Sequence, residues 1–176
     1  MMPNIDVAIL FFINKTLANS FPDLIMPLTH LIPYTFWGLL TAFFFFRRKD
    51  RMLALLMIVA IVADFMIVTV VKDLVARERP YQVLDVRQLV PEDDNRSFPS
   101  NHVQLSFLLS TIIFRFYRRF GIILFIISAL IGFGRIYLGV HYPSDVIGGA
   151  LIGVLIAVLI LKVSTRYNRK IFRKKI

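Results

Sequence analysis

The sequence predicts an all-α fold, a polytopic transmembrane bundle of five to six membrane helices. Three observations predict it. Long uncharged apolar runs recur along the chain, basic residues gather in alternate connections between them, and the remaining connections hold a distinct polar set. Of 176 residues, 57% are hydrophobic, and the mean hydropathy is +0.71. A soluble domain is usually nearer half apolar. Here the excess sits in the runs, as a bilayer requires. With no internal repeat and no low-complexity linker, residues 1–176 read as one domain. The absence of cysteine excludes disulfides and thiolate metal sites and leaves the redox compartment open.

Taken in order, residues 24–46, 52–75, 102–117, 121–138 and 146–163 are long enough, or nearly so, to cross a bilayer as helices of ~20 residues. The third is short, and its helix has room to run on toward Arg118 or to begin earlier. Residues 5–18 are apolar on one side but interrupted by Asn14 and Lys15, which suits an interfacial amphipathic helix or a short sixth span. No basic stretch precedes the first apolar residues and no small-residue cleavage site follows them, so a cleaved signal peptide is not expected.

The connections sort by charge. Arg47, Arg48, Lys49 and Arg51 form one patch; Arg115, Arg118 and Arg119 form a second. Lys162, Arg166, Arg169, Lys170, Arg173, Lys174 and Lys175 form the tail, and together the three patches carry 14 of the 21 Lys and Arg residues. Five spans put all three on one face, which positive charge marks as cytoplasmic. The C-terminus is then cytoplasmic, and the connections at 77–101 and 135–145 are extracytoplasmic. The net charge of +10 is accounted for by topology and anionic headgroups. Nucleic acid is therefore not an expected partner; the bilayer and a membrane lipid are.

Three segments reach the extracytoplasmic side. One runs from Lys72 to Arg79-Pro80, one is Pro99-Ser100-Asn101-His102, and one runs from Gly134-Arg135 through His141 to Asp145. A phosphate ester brings negative charge and several acceptor oxygens. Lys72, Arg79 and Arg135 can oppose that charge, and an arginine can grip two oxygens at once. On a continuous helix Lys72 and Arg79 would lie on one face, ~10 Å apart along the axis, before Pro80 stops it. Ser100 stands at a helix N-cap position and Pro143 at the start of the last span, so free N–H groups of two helix N-termini would face one anion. Two histidines suit a nucleophile and a general acid, and Asp145 is near enough to His141 to orient it. Spacing alone does not say which histidine plays which part.

The three-part pattern K-x6-R-P, P-S-x-H and R-x5-H-x3-D, spanning 72–145, resembles the signature of the type-2 phosphatidic acid phosphatase superfamily. The resemblance implies that His141 is the nucleophile, Asp145 its partner and His102 the acid that protonates the leaving group. It implies that Lys72, Arg79, Ser100, Asn101 and Arg135 bind phosphate, and that no metal or other cofactor takes part. Asn101 stands where that family usually has glycine, and Gly134 where it usually has serine. A backbone N–H contact survives the first change; the second removes one side-chain contact.

The implied function is removal of phosphate from a lipid phosphate or pyrophosphate in a bacterial-type inner membrane, through a phosphohistidine. Lipid A 1-phosphate and undecaprenyl pyrophosphate are the leading substrates. Alternatives are a phosphatidylglycerol phosphate phosphatase, a lipid-to-lipid phosphotransferase, and a lipid-binding or transport protein with a dead site. Other polar residues read more plainly. His30 suits a hydrogen bond inside the bundle. Asp64, in mid-span, must face the interior or carry a proton. Glu92-Asp93-Asp94-Asn95 reads as a solvated loop face, and Arg77, Arg87 and Arg96 as loop charges or headgroup steering. Tyr34, Phe36 and Trp37 fit packing or an interfacial belt.

Overall fold

The computed structural model describes residues 5–17, 29, 32–92 and 94–167. Helix α1 (Ile5–Phe11) runs into a π-helical turn (Phe12–Leu17); α2 (Ile32–Phe46) and a 3-10 turn (Arg48–Asp50) lead to α3 (Arg51–Val75). A short α4 (Pro80–Val83) follows, then α5 (Asn101–Phe116), α6 (Arg118–Tyr137) and α7 (Pro143–Tyr167). Among the described residues there is no strand, only one isolated bridge between Glu78 and Arg96. The all-α bundle expected from the apolar runs is thus present. Most of 24–31 and His30, as well as the tail beyond Tyr167, lie outside the described residues.

Helices α3, α6 and α7 are long and apolar enough to cross a membrane. Their outward faces remain apolar, with Val62, Phe65 and Leu74 of α3, Ile126 and Leu130 of α6, and Leu151 and Leu155 of α7 all exposed. Such faces are costly in water and favourable against lipid tails. Helix α5 is the axis instead, packed against α2, α3, α6 and α7. Its apolar contribution to the core includes Leu105, Leu108, Leu109, Ile112 and Ile113. Two glycines one turn apart let α7 close on it. A Cβ at Gly149 would stand 2.8 Å from the Ser100 carbonyl oxygen, and one at Gly153 would collide with that of Gln104. Small residues four apart are a common means of close approach between membrane helices.

Polar groups inside the bundle find one another. Trp37 Nε1 donates to Ser106 Oγ at 2.9 Å, Ser110 and Ser128 share a hydrogen bond, and Gln104 Nε2 donates to Asp64 Oδ1 at 2.9 Å. Asp64 is only 2% exposed, so it faces the interior, as a mid-span carboxyl should. At one end of the bundle, buried Asp50 accepts a hydrogen bond from Tyr117, and Phe44 stacks on Tyr117. The basic connections at 47–51 and 115–119 therefore share that end.

The other end is built from long connections. Helix α3 stops at Val75, where Ala76 turns left-handed (φ 45) and its N–H bonds back to the Lys72 carbonyl. Lys72 and Arg79 thus do not share one helix. Pro80 opens α4 at its N1 position instead of ending α3, a position that tolerates its missing N–H. The segment after α4 folds back, with Ser97 N–H donating to the Arg77 carbonyl at 2.8 Å. The N-terminal segment lies across this same end. Asp6 accepts from the Ser144 N–H at the start of α7, while Asn14 donates to the Tyr137 carbonyl at the end of α6. Both ends of the segment are held at one level, so it caps the bundle there. Gly139 (φ +74) makes the tight turn beneath it, where a side chain would strike the Arg87 carbonyl.

Candidate active site

The three sequence segments converge at this capped end. Lys72 comes from the last turn of α3, Arg79 from the N-cap of α4, and Asn101 and His102 from the first turn of α5. Arg135 comes from the last turn of α6, and His141 from the short connection to α7. All six line one cavity of about 400 Å³. Tyr34, Phe65, Val68 and Thr69 form its side toward α2 and α3.

Ser100 and Asp145 stand just behind. Ser100 is the N-cap of α5, but its side chain makes no capping bond; its N–H instead donates to the Asp145 carbonyl at 3.2 Å. This joins the N-termini of α5 and α7, the two helix starts expected to meet. Asp145 is fully buried in the first turn of α7. Its Oδ2 accepts the Tyr142 N–H at 2.8 Å and lies 3.6 Å from His141 Nδ1, slightly beyond hydrogen-bond length. Catalytic hydrogen bonds are often this loose before substrate binds.

His141 Nε2 points the other way, 3.3 Å from Arg79 Nη1. A guanidinium can only donate, so Nε2 accepts and the proton belongs on Nδ1, toward Asp145. Burial and the charges of Arg135 and Arg79 push this imidazole well below its ordinary value of 6.5. The ring is therefore neutral near pH 7, with its lone pair on the cationic side. Arg79 is held firmly: Nε donates to the Asp94 carbonyl at 2.6 Å and Nη1 to the Val140 carbonyl at 3.0 Å. His102 Nδ1 lies 3.5 Å from the Tyr34 hydroxyl, and the two rings pack with centroids 4.4 Å apart.

Glu92, Asp94, Arg77, Arg96 and Tyr34, all at this end, had no place in the three-part pattern. Glu92 reads in the sequence as part of a solvated loop face. It is instead half inside the site, its side chain 11% exposed, paired with Arg79 Nη2 at 3.1 Å and with Arg135. Asp94 pairs with Lys72 at 2.8 Å. Burial alone would raise both carboxyls, but the cations beside them hold both below the usual carboxylate range. Arg77 is not a loose loop charge either: it bonds Asp145 and Asp6. Arg96 pairs with Asp94 and Asp73 on the rim. The acidic run carried no local signal of this, because Lys72, Arg79 and Arg135 lie 13 or more positions away in the sequence. Tyr34 had none, because it is 68 positions from His102.

A helical membrane protein with a cationic cavity at one end, two histidines in its wall and a carboxylate behind one of them is equipped to bind a phosphoryl group. The chain belongs to the PAP2 superfamily, whose profile matches residues 53–169 and so contains every residue of the three-part pattern. Its relatives include the undecaprenyl-diphosphatase BcrC of Bacillus subtilis, 35% identical over 86 residues, 49% of this chain and 45% of that protein. Among solved structures, Aquifex aeolicus LpxE has a TM-score of 0.74 at 30% identity, covering 90% of this chain and 96% of that one. The PAP2-type phosphatidylglycerolphosphate phosphatase of B. subtilis has a TM-score of 0.73 at 26% identity, covering 96% of this chain and 90% of that one. The chain spans about half the length of the first curated relatives it matches.

Proposed function

We propose that this chain is a lipid phosphatase that acts through a phosphohistidine on His141 at the extracytoplasmic face of a bacterial inner membrane. The observation that carries this reading is the convergence of His102, His141, Lys72, Arg79 and Arg135 on one cavity beside the lipid-facing Phe65. The basic connections at the opposite end support the orientation. A headgroup would enter among the cations while its tails stay against the apolar face of α2 and α3.

In the first step His141 Nε2 attacks phosphorus and the bond to the leaving oxygen breaks. His102 gives that oxygen its proton. Asp145 stabilises the positive charge that develops on the His141 ring. Lys72, Arg79 and Arg135, with the N–H groups at the start of α5, hold the equatorial oxygens as charge spreads over them. In the second step water attacks phosphorus, His102 takes its proton, the P–N bond breaks and phosphate leaves.

Undecaprenyl pyrophosphate and lipid A 1-phosphate are the proposed substrates. The first is favoured by the name of the B. subtilis relative. Phosphatidylglycerol phosphate is the alternative, supported by the structural neighbour named for it. Phosphate release by the purified protein across these three lipids tests the reading. Loss of release in His141→Ala is expected; equal release by that variant would refute it. A product in which phosphate appears on a second lipid would make the protein a phosphotransferase.

Two further outcomes are expected. Activity persists in excess EDTA, because every charge the mechanism uses belongs to a side chain; restoration by added divalent metal alone would contradict it. The acid limb of kcat/KM falls below pH 6.5, because His141 must be neutral to attack and its site disfavours the imidazolium. As pH falls through the depressed value the ring gains a proton and the rate drops. An acid limb above 6.5 would contradict this.

A further inference from the structure

We propose that Arg77 and Asp6 are positioning residues for the His141–Asp145 pair, so that the N-terminal helix α1 is a working part of the active site. This inference rests on the reading of His141 as nucleophile. Neither residue belongs to the three-part pattern: Arg77 falls among its unspecified positions, and Asp6 lies far outside it.

The geometry begins at the helix break. Ala76 turns the chain at the end of α3, so that Arg79 enters the cavity while Arg77 reaches behind it. Arg77 Nη1 donates to Asp145 Oδ1 and to Ser144 Oγ, both at 2.7 Å. Its Nη2 donates to Asp6 Oδ2 at 2.8 Å, and the guanidinium lies over the Tyr142 ring at 3.8 Å. Each oxygen of Asp145 is therefore held, Oδ1 by Arg77 and Oδ2 by the Tyr142 N–H. The carboxylate cannot rotate, and its Oδ2 stays aimed at His141 Nδ1. Asp6 fixes Arg77 in turn. Its other oxygen accepts the Ser144 N–H at 2.8 Å, so one carboxylate of α1 ties the guanidinium to the first turn of α7.

The charges follow the same order. A carboxylate beside an imidazole favours its protonated form, which cannot attack. Arg77 offsets the Asp145 charge from the far side, and so acts in the same direction as the burial and the Arg135 and Arg79 charges that keep the ring neutral. Besides Asp145 on its Nδ1 side, the charged groups around the ring include Arg135, Arg79, Lys72 and Glu92. Around Asp145 are Arg77, the Tyr142 N–H, Ser97 and the His141 ring. Arg77 is the cation paired with Asp145, and Asp6 is its other anionic partner.

The test uses the full chain in detergent with Arg77→Gln, Arg77→Lys and Asp6→Ala. The chain has three histidines, so 15N-histidine labelling, with His141→Ala for assignment, reads the His141 titration and tautomer directly. Arg77→Gln should raise the His141 midpoint by about one pH unit and lower kcat roughly 30-fold, with KM changed less than about threefold. Arg77→Lys should restore most of the midpoint, and Asp6→Ala should lower kcat about fivefold. Inhibition by orthovanadate in Arg77→Gln should match wild type, which shows that the anion site is intact. An unshifted His141 midpoint in Arg77→Gln overturns the proposal, even if activity falls. If His141→Ala retains phosphatase activity, the nucleophile assignment fails, while the titration still reports on Arg77.

Discussion

Replacing His141 with alanine is expected to abolish phosphate release, lowering kcat by at least ~10³-fold, or about 4 kcal/mol in barrier height. No other imidazole in the cavity combines burial, a carboxylate behind one nitrogen and a lone pair turned toward the cations. The binding site should survive. Lys72, Arg79 and Arg135 lie on three different elements and none depends on the His141 ring for its main anchor. Orthovanadate or phosphate should therefore still bind the variant, within roughly tenfold of wild type. Asp145→Asn should fall between, at about 10²-fold, because Nδ1 loses the charge that stabilises the developing imidazolium. Phosphate release under saturating lipid, measured beside anion binding, separates the two effects.

Arg135 is expected to give the second-largest loss. Its side chain is fully buried, and it lines the cavity beside Glu92, with which it pairs. Arg135→Ala should reduce kcat/KM about 10²- to 10³-fold, the usual cost of removing a preorganised charge on transferring oxygens. It also removes a cation paired with Glu92 and leaves the Arg79 pair in place. An incompletely paired carboxylate in a partly dry site is costly, so the variant should also melt at a lower temperature. Arg135→Lys should rescue little, because a point charge cannot grip two acceptors as a planar fork does. Steady-state kinetics with a melting curve for each variant checks this; near-wild-type kcat/KM in the lysine variant would contradict it.

Much of this was legible in the sequence. Apolar runs broken by basic patches gave the bundle and its two unlike ends, because a bilayer punishes charge wherever it is not needed. The three-part pattern gave all eight proposed site residues, of which six line the cavity and Ser100 and Asp145 support them. Most of the misreadings concern contacts between distant parts of the chain; the path from Lys72 to Arg79 is the local exception. Helix α3 ends at Val75, as the span at 52–75 had it, and does not continue to Pro80, because Ala76 adopts a left-handed conformation that only glycine or asparagine would have signalled. Glu92 looked solvated because nothing local says that its loop folds back over two arginines. Arg77 and Asp6 are 71 positions apart, and no periodicity links them. Asn14, which seemed only to interrupt an apolar face, is fully buried and bonds Arg87 and Tyr137. Its polarity interrupts the face because it serves the cap.

The account stands or falls on a phosphorus–nitrogen bond at one named ring. Purified protein mixed with a 32P-labelled lipid pyrophosphate, quenched in alkali within a single turnover and mapped by peptide mass, should carry label on His141. That label should be absent from His141→Ala. Label on any other residue, or full turnover with no labelled protein under conditions that preserve phosphohistidine, would contradict it.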